Sequence, residues 1–354
     1  GGAKNIKLIR PGYAADTKQV FTNAFLNSLA NVSTLRLMDL TQTNSNPVAN
    51  WDDRSHVTDV TQTSPKGVAW EYGIALANLM HKDLWINVPA LATVDYVTPL
   101  AQLFKTTLDP SLHVYVEYSN EVWNASFGQN NQNFLNASAA EAANPSDLNF
   151  DNSNNAYYWG WRNVAAKLIQ IKNDFAAVYG DAAINTTIRP VLASQMGWSY
   201  VIENQLDYLE HRFGTNLSTQ IYGIAGAPYL NIGDLSSSVT LTVDQVIGAL
   251  YQNMANNQTG IQKYASLAAF YSVKQLYYEG GIDLTGDYSG NLAAKIGANY
   301  DPRMAALVEA YIQSSTALGV DQVMFFNLAG AYAWSGTWAL TESINDLAGY
   351  KFQG

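Results

Sequence analysis

The chain has 354 residues, of which 48% are hydrophobic and 14% are charged, and it contains no cysteine. Its 19 lysine and arginine residues against 29 aspartate and glutamate residues give a formal net charge of −10, which disfavours nucleic acid and anionic membrane surfaces as partners. The lack of cysteine excludes disulfides and thiolate chemistry and favours a bacterial exported protein over a disulfide-stapled eukaryotic one. We therefore expect a secreted or periplasmic monomer with neither nucleic-acid nor membrane partners.

Short segments rich in β-formers alternate with longer segments of helical period along the whole chain. The eight predicted strands are residues 6–10, 34–39, 84–88, 113–119, 187–193, 220–225, 274–279 and 322–327. The predicted helices are residues 17–30, 68–81, 96–108, 157–179, 200–213, 243–271 with a break near 256–260, 303–318, and a short one after 341. This alternation predicts an α/β fold with a parallel sheet, which we interpret as a single-domain (β/α)₈ TIM barrel over residues 1–354.

One connection has no clear pattern. Residues 124–155 are rich in Asn, Ala and Ser and follow the fourth predicted strand. Long loops inside compact domains are usually functional or mobile, and in a barrel the catalytic residues lie at the carboxyl ends of the strands. We therefore expect a long loop beside the active face.

Two of the predicted strands run directly into a glutamate. Glu121 follows the fourth strand and Glu279 ends the seventh. Two carboxyl groups across the mouth of one barrel would supply what glycoside hydrolysis needs, namely one group that protonates the leaving oxygen and one that attacks the anomeric carbon. In a retaining enzyme such carboxyl groups lie about 5 to 5.5 Å apart.

The pair Asn120-Glu121 after the fourth strand, with Glu279 at the end of the seventh, resembles clan A of the glycoside hydrolases, the "4/7" barrel superfamily. The resemblance implies that Glu121 is the general acid/base and Glu279 the nucleophile. It also implies that Asn120 binds the sugar 2-hydroxyl. The alternatives are a surface loop glutamate for Glu121, a structural ion pair for Glu279 and a turn cap for Asn120.

Other positions fit the same resemblance. Arg36, on the second predicted strand, corresponds to the arginine that orders the nucleophile and keeps it ionised, although Asp39 is an alternative partner for it. Tyr229, after the sixth strand, corresponds to a tyrosine that hydrogen-bonds the nucleophile, with core packing as the alternative. Trp334, beyond the eighth strand, corresponds to the aromatic platform under the sugar. Ala227 stands where the clan often has a histidine, so the subfamily stays open.

Several tryptophans lie in predicted loops after strands. Trp51 and Trp123 are the two that we interpret as substrate-binding residues, because loop tryptophans suit stacking on sugars, although any one of them could be buried. Glu117 lies two residues before Ser119 on the fourth strand and shares its face by alternation. We assign Glu117 no role.

Other chemistries find less support. The four histidines include no His-X-His pair and none at the carboxyl end of a predicted strand. This disfavours a metal-dependent hydrolase, and we expect neither metal nor cofactor. We predict a retaining glycoside hydrolase acting on a β-linked poly- or oligosaccharide, with β-1,4-glucan as the first guess. The alternatives are a catalytically inactive carbohydrate-binding barrel and a transglycosylase that uses the same two glutamates.

Overall fold

The computed structural model describes residues 6, 8–145, 147–233, 235, 240–284 and 291–354. The strands are β1 Thr34–Arg36, β2 Asp83–Val88, β3 Val114–Tyr118, β4 Ile188–Ala193, β5 Gly223–Gly226, β6 Tyr229–Leu230, β7 Lys274–Tyr277, β8 Gly281–Ile282 and β9 Val320–Val323. The α-helices are α1 Asn23–Ser28, α2 Trp70–Met80, α3 Val94–Thr107, α4 Gly128–Ala143, α5 Ala156–Tyr179, α6 Tyr200–Phe213, α7 Val243–Phe270, α8 Leu292–Asn299, α9 Arg303–Ala317 and α10 Tyr350–Gln353.

The main sheet is parallel and follows the chain in the order β1-β2-β3-β4-β5-β7-β9. Helices connect successive strands, as parallel pairing requires. All five residues of β3 are buried, and so are the last five of β2. Strands that are buried over consecutive residues are typical of a sheet that is covered on both faces.

The predicted first strand is wrong, and among the described residues the main sheet has seven strands where we expected eight. Residues 8–10 form no strand, and Lys7 lies outside the described residues. Ile6 is 80% exposed and Leu8 fully exposed. A β-rich sequence becomes a strand only when it pairs and buries one face, and this segment does neither.

The sheet is curled. Arg36, at the end of β1, lies 3.0 Å from Glu279, which follows β7 five strands away in the sheet order. In a flat sheet these strands would be about 24 Å apart, because neighbouring strands are spaced by about 4.8 Å. A layer of side chains from five of the strands and from the residues directly after β7 and β9 fills the inside of the curl: Trp85, Tyr115, Val191, Ala225, Leu276, Tyr278 and Met324.

The connection predicted as a long loop contains the 16-residue helix α4, which packs on α5. The amide-rich composition hid this helix, since its apolar stripe is narrow. Gly160 of α5 allows the close approach, because a Cβ there would lie 2.2 Å from the ring of Phe134 in α4. The predicted break near residues 256–260 is also wrong, since α7 runs continuously from its Thr242 capping box.

The short strands β6 and β8 pair with each other just beyond β5 and β7, with Tyr229 opposite Gly281. Gly281 has a φ of 112°, and a Cβ there would lie 2.9 Å from the ring of Phe325. This pairing brings the segment that carries Tyr229 beside the segment that carries Glu279. In the part of the chain that the structure describes, no helix is both long and apolar enough to cross a membrane.

Candidate active site

The two glutamates lie just beyond the carboxyl ends of their strands. Glu121 follows β3 by three residues and Glu279 follows β7 by two. Glu279 is buried with 7% exposure, whereas Glu121 is half-buried. Since all strands of the main sheet are parallel, both side chains belong to the same edge, where the loops after the strands form the active face of α/β folds.

Arg36 links the residues around this edge. Its Nη1 donates to Glu279 Oε2 at 3.0 Å, and its Nη2 donates to Glu117 Oε2 at 3.0 Å and to Asn120 Oδ1 at 2.9 Å. The guanidinium also lies over the Tyr278 ring at 5.2 Å from its centroid. One buried cation thus orients two carboxylates and one amide, and its partners are Glu117 and Glu279, not Asp39.

Glu117 is the residue that sequence reasoning left without a role. Its side chain is 1% exposed, and besides Arg36 its Oε2 accepts from Trp85 Nε1 and from Asn87 Nδ2, both at 2.8 Å. Strand alternation placed it on the face of Ser119, and that face turns out to be the interior of the curl. The buried carboxylate of Glu117 thus accepts hydrogen bonds from three side chains, of which one is Arg36, and so fixes the position of the guanidinium.

Each candidate glutamate also accepts a hydrogen bond from a tyrosine. The hydroxyl of Tyr229 donates to Glu279 Oε1 at 2.9 Å, and the hydroxyl of Tyr278 donates to Glu121 Oε1 at 3.2 Å. Burial, followed by the nearby carboxylates, raises the pKa of both phenols well above the usual value, so that both remain donors. Nothing in the sequence pattern singled out Tyr278.

The remaining contacts of this edge come from amides. Asn124 Nδ2 donates to Glu121 Oε2 at 2.9 Å. Asn120, 2% exposed, uses Nδ2 to bond Asn44 Oδ1 at 3.1 Å, while its Oδ1 accepts from Arg36. Amides therefore hold both Glu121 and the residue before it.

The turn that carries Glu121 has a strained backbone. Ser119 and Glu121 have φ values of 55° and 41°, a left-handed conformation that costs a residue with a Cβ about 1–2 kcal/mol. The side-chain amides of Asn87, Gln129 and Asn130 donate to the carbonyls of residues 119, 120 and 122 at 2.6, 2.7 and 2.7 Å. Two of these amides belong to α4, which therefore helps to fix the backbone of Glu121. Strain held in place by such bonds is typical of functional sites.

The electrostatics of Glu279 differ from our expectation that Arg36 keeps this carboxyl strongly ionised. The pKa of Glu279 is raised to about 7 by the sum of opposing effects. Burial is the largest and raises it, Arg36 and the Tyr229 hydrogen bond lower it, and the charges of Glu121 and Glu117 raise it. Burial likewise raises the pKa of Glu117. One arginine faces two buried carboxyl groups, so its single charge does not offset the cost of ionising both.

This raised pKa predicts how stability depends on pH. Between pH 4.5, the ordinary pKa of the carboxyl, and about 7, the folded chain keeps a proton on Glu279 that the unfolded chain has lost, so this group lowers the free energy of unfolding as pH rises. The full effect is about 3 kcal/mol at about 1.4 kcal/mol per pKa unit. We expect Glu279→Gln to exceed the wild type in urea-unfolding stability at pH 8, and to match it near pH 4.5.

The matched control is Glu309→Gln, at an exposed position of α9, which should show no such pH-dependent gain. A wild type whose advantage over Glu279→Gln grows with pH would contradict the expectation, since Glu279 would then favour the ionised state in the fold.

The three candidate tryptophans have different surroundings. Trp51 packs beneath the Arg54 guanidinium at 4.1 Å and against the edge of Tyr96 at 5.6 Å between centroids, so part of its ring is already covered. Trp334 is 65% exposed in the loop after β9. Trp123, two residues after Glu121, lines a pocket of about 470 Å³.

Among the described residues no group of three or more histidine or acidic side chains is arranged to hold a metal ion.

Comparison with known proteins gives a fold and no family. No protein-family model and no curated protein sequence matches the chain. Among solved structures it is similar to a 4-O-α-L-rhamnosyl-β-D-glucuronidase from Fusarium oxysporum 12S, with 14% identity and a TM-score of 0.50 over 85% of this chain and 57% of that one. It is also similar to the family 51 α-L-arabinofuranosidase AbfB from Bifidobacterium longum, with 8% identity and a TM-score of 0.49 over 88% of this chain and 61% of that one. The chain thus spans less than two thirds of either protein, and the first likeness shows that it shares the fold of that glucuronidase.

Proposed function

We propose that the chain is a retaining glycoside hydrolase with a (β/α)₈ barrel, in which Glu279 is the nucleophile and Glu121 the general acid/base. The observation that carries the proposal is the unequal setting of two glutamates at one edge of the sheet. Glu279 is buried between Arg36 and Tyr229, which suits a carboxylate held in one orientation for attack. Glu121 is more exposed, as a group that exchanges protons with a leaving group and with water needs to be.

The reaction then has two steps. In the first, the Glu279 carboxylate attacks the anomeric carbon while Glu121 gives its proton to the departing glycosidic oxygen, which leaves a glycosyl ester on Glu279. In the second, Glu121 takes a proton from water, whose oxygen attacks the same carbon and releases Glu279 as a carboxylate. Arg36 and Tyr229 stabilise that carboxylate before the first step and after the second.

The substrate-binding roles follow the same arrangement. The amide nitrogen of Asn120 carries two protons, of which one serves Asn44, and the other is our candidate donor to the sugar 2-hydroxyl. The exposed ring of Trp334 is the candidate platform under the reacting sugar, and Trp51 a candidate for the units beyond it. We propose that the substrate is a β-linked polysaccharide, and β-1,4-glucan is the first candidate to test. Because such polymers lie outside the cytoplasm, the proposal implies an exported enzyme.

The test combines a substrate panel with the stereochemistry of the product. The protein is incubated with β-glucan, xylan, mannan and aryl β-glycosides, and ¹H NMR follows the anomeric configuration of the first product. Release of β-configured reducing ends from a β-linked substrate supports the proposal, and α-configured ones contradict the retaining route. Net formation of longer oligosaccharides would identify a transglycosylase, and carbohydrate binding without turnover an inactive binding barrel.

Glu117 should influence the pH dependence of this activity. Its negative charge raises the pKa of Glu279, so Glu117→Gln removes that charge and leaves Arg36 with a single carboxylate partner. Since kcat/KM requires ionised Glu279, we expect its acidic limb to move down by about one pH unit from the wild-type position near pH 7. Glu309→Gln is the control. An unchanged limb together with a lower melting temperature would reduce Glu117 to a purely structural residue.

A further inference from the structure

The pocket of about 470 Å³ has Trp123, two residues after Glu121, in its wall. Its walls come from the loop after β3, from α4, from the start of α5 and from the residues that lead into α6. Seven of its twelve lining residues are aromatic, and none is Asp, Glu, Lys or Arg. Its volume falls in the range of about 300–1,000 Å³ that small-ligand sites usually have.

The aromatic rings hold one another in place and still face solvent. Trp161 meets Trp198 edge to face at 5.4 Å between centroids and stacks on Tyr158 at 5.6 Å. The hydroxyls of Tyr158 and Tyr200 are 2.6 Å apart. Trp198 is nevertheless 53% exposed and Tyr200 40% exposed. Rings that are fixed and exposed offer a preorganised stacking surface, which reduces the entropy lost when a ligand binds.

A second observation points to a ligand with hydroxyl groups. The Nε1 of Trp123, in the wall of the pocket, is shielded from solvent and has no hydrogen-bond partner among the described residues. A buried donor without an acceptor is unfavourable, and a turn of the Trp123 ring toward the pocket would let a ligand oxygen accept from it. Asn155 and Gln195 add amides to the same wall. Aromatic faces combined with neutral polar groups suit an uncharged sugar.

We propose that this pocket binds a neutral pyranose unit on the leaving-group side of the scissile bond, an inference that rests on the proposed function. The side follows from position, since Trp123 lines the pocket and lies two residues after Glu121, the proton donor to the leaving group. The absence of charged side chains from the pocket wall selects neutral sugars over uronic acids and sulfated sugars.

The test measures binding without turnover. All proteins carry Glu279→Gln, which prevents turnover, and calorimetry measures their affinities for cello-, xylo- and manno-tetraose. The affinities are compared with and without Trp198→Ala. The control is Phe270→Ala, at an exposed aromatic residue of α7. We expect Trp198→Ala to weaken the best ligand at least about tenfold, as stacking residues do in binding sites, and Phe270→Ala to leave it unchanged. Trp123→Phe, which keeps a ring and removes Nε1, should weaken it several-fold without loss of folding.

Kinetics on the active enzyme separate this inference from the proposed function. Trp198→Ala should lower kcat/KM for oligosaccharides about tenfold and leave glycosyl fluorides, whose leaving group is too small to reach the pocket, unchanged. The pocket assignment would be overturned if both tryptophan substitutions left oligosaccharide affinity and kcat/KM unchanged. It would also be overturned if the protein bound none of the oligosaccharides. If the pocket bound a free phenol and none of the sugars, it would be a site for aromatic ligands and the proposal would be wrong. If oligosaccharide binding depends on Trp198 but no glycoside is hydrolysed, the sugar-binding role of the pocket would be supported and the proposed hydrolase activity would be contradicted.

Discussion

Glu279→Ala should reduce turnover of every substrate by about 10⁴-fold or more, because no glycosyl-enzyme can form without the attacking carboxylate. Substrates with activated leaving groups should be affected as strongly as natural linkages, since the missing bond is the same for both. The measurement is the initial rate on an aryl β-glycoside and on the best polysaccharide. Glu309→Ala, at an exposed position of α9, should retain full activity.

Azide gives this prediction a signature that loss of folding cannot produce. With Glu279→Ala, azide can attack the anomeric carbon from the vacated face while Glu121 protonates the leaving group, so an aryl β-glycoside should yield the α-glycosyl azide. Recovery of activity with that inverted product identifies Glu279 as the nucleophile. Wild-type activity in Glu279→Ala would place the active site elsewhere.

Glu121→Ala should separate substrates by their leaving groups, the second large effect. Without the proton donor, natural glycosidic linkages should lose several orders of magnitude in rate, whereas aryl glycosides with good leaving groups should still glycosylate Glu279. The second step also loses its base, so the intermediate should accumulate and a burst of phenol should precede a slow steady state. Stopped-flow absorbance measures the burst, and mass spectrometry detects the labelled protein.

Azide should rescue this variant with the opposite stereochemistry. It needs no base to attack the accumulated intermediate, so a β-glycoside should yield the β-glycosyl azide. If Glu121→Ala gives the inverted azide and Glu279→Ala the retained one, the two roles are exchanged. A uniform loss on all leaving groups, with no burst, would remove Glu121 from proton transfer.

Local patterns in the sequence were enough to locate most strands and the two glutamates. From residue 34 onward each predicted strand overlaps an observed one, and Glu121 and Glu279 lie past the ends of β3 and β7, because buried parallel strands are recognisable as apolar runs. The sequence was misleading at residues 6 and 8–10, where β-formers found no partner, and in α4, whose amide-rich surface resembles a loop. Pairing and helix packing are non-local, and no local pattern encodes them.

Only the tertiary structure decided how the site is connected and charged. The curl of the sheet brings Arg36 of β1 to Glu279 after β7 and places Glu117 beneath both, a meeting of residues up to 243 positions apart. The same burial reverses the expected direction of the Glu279 pKa, since desolvation of two carboxyl groups outweighs one shared guanidinium. The sequence by itself determined which side chains lie at the ends of the strands. The packing of the strands around one another determined the hydrogen-bond partners of these side chains, their exposure to solvent and therefore their charge.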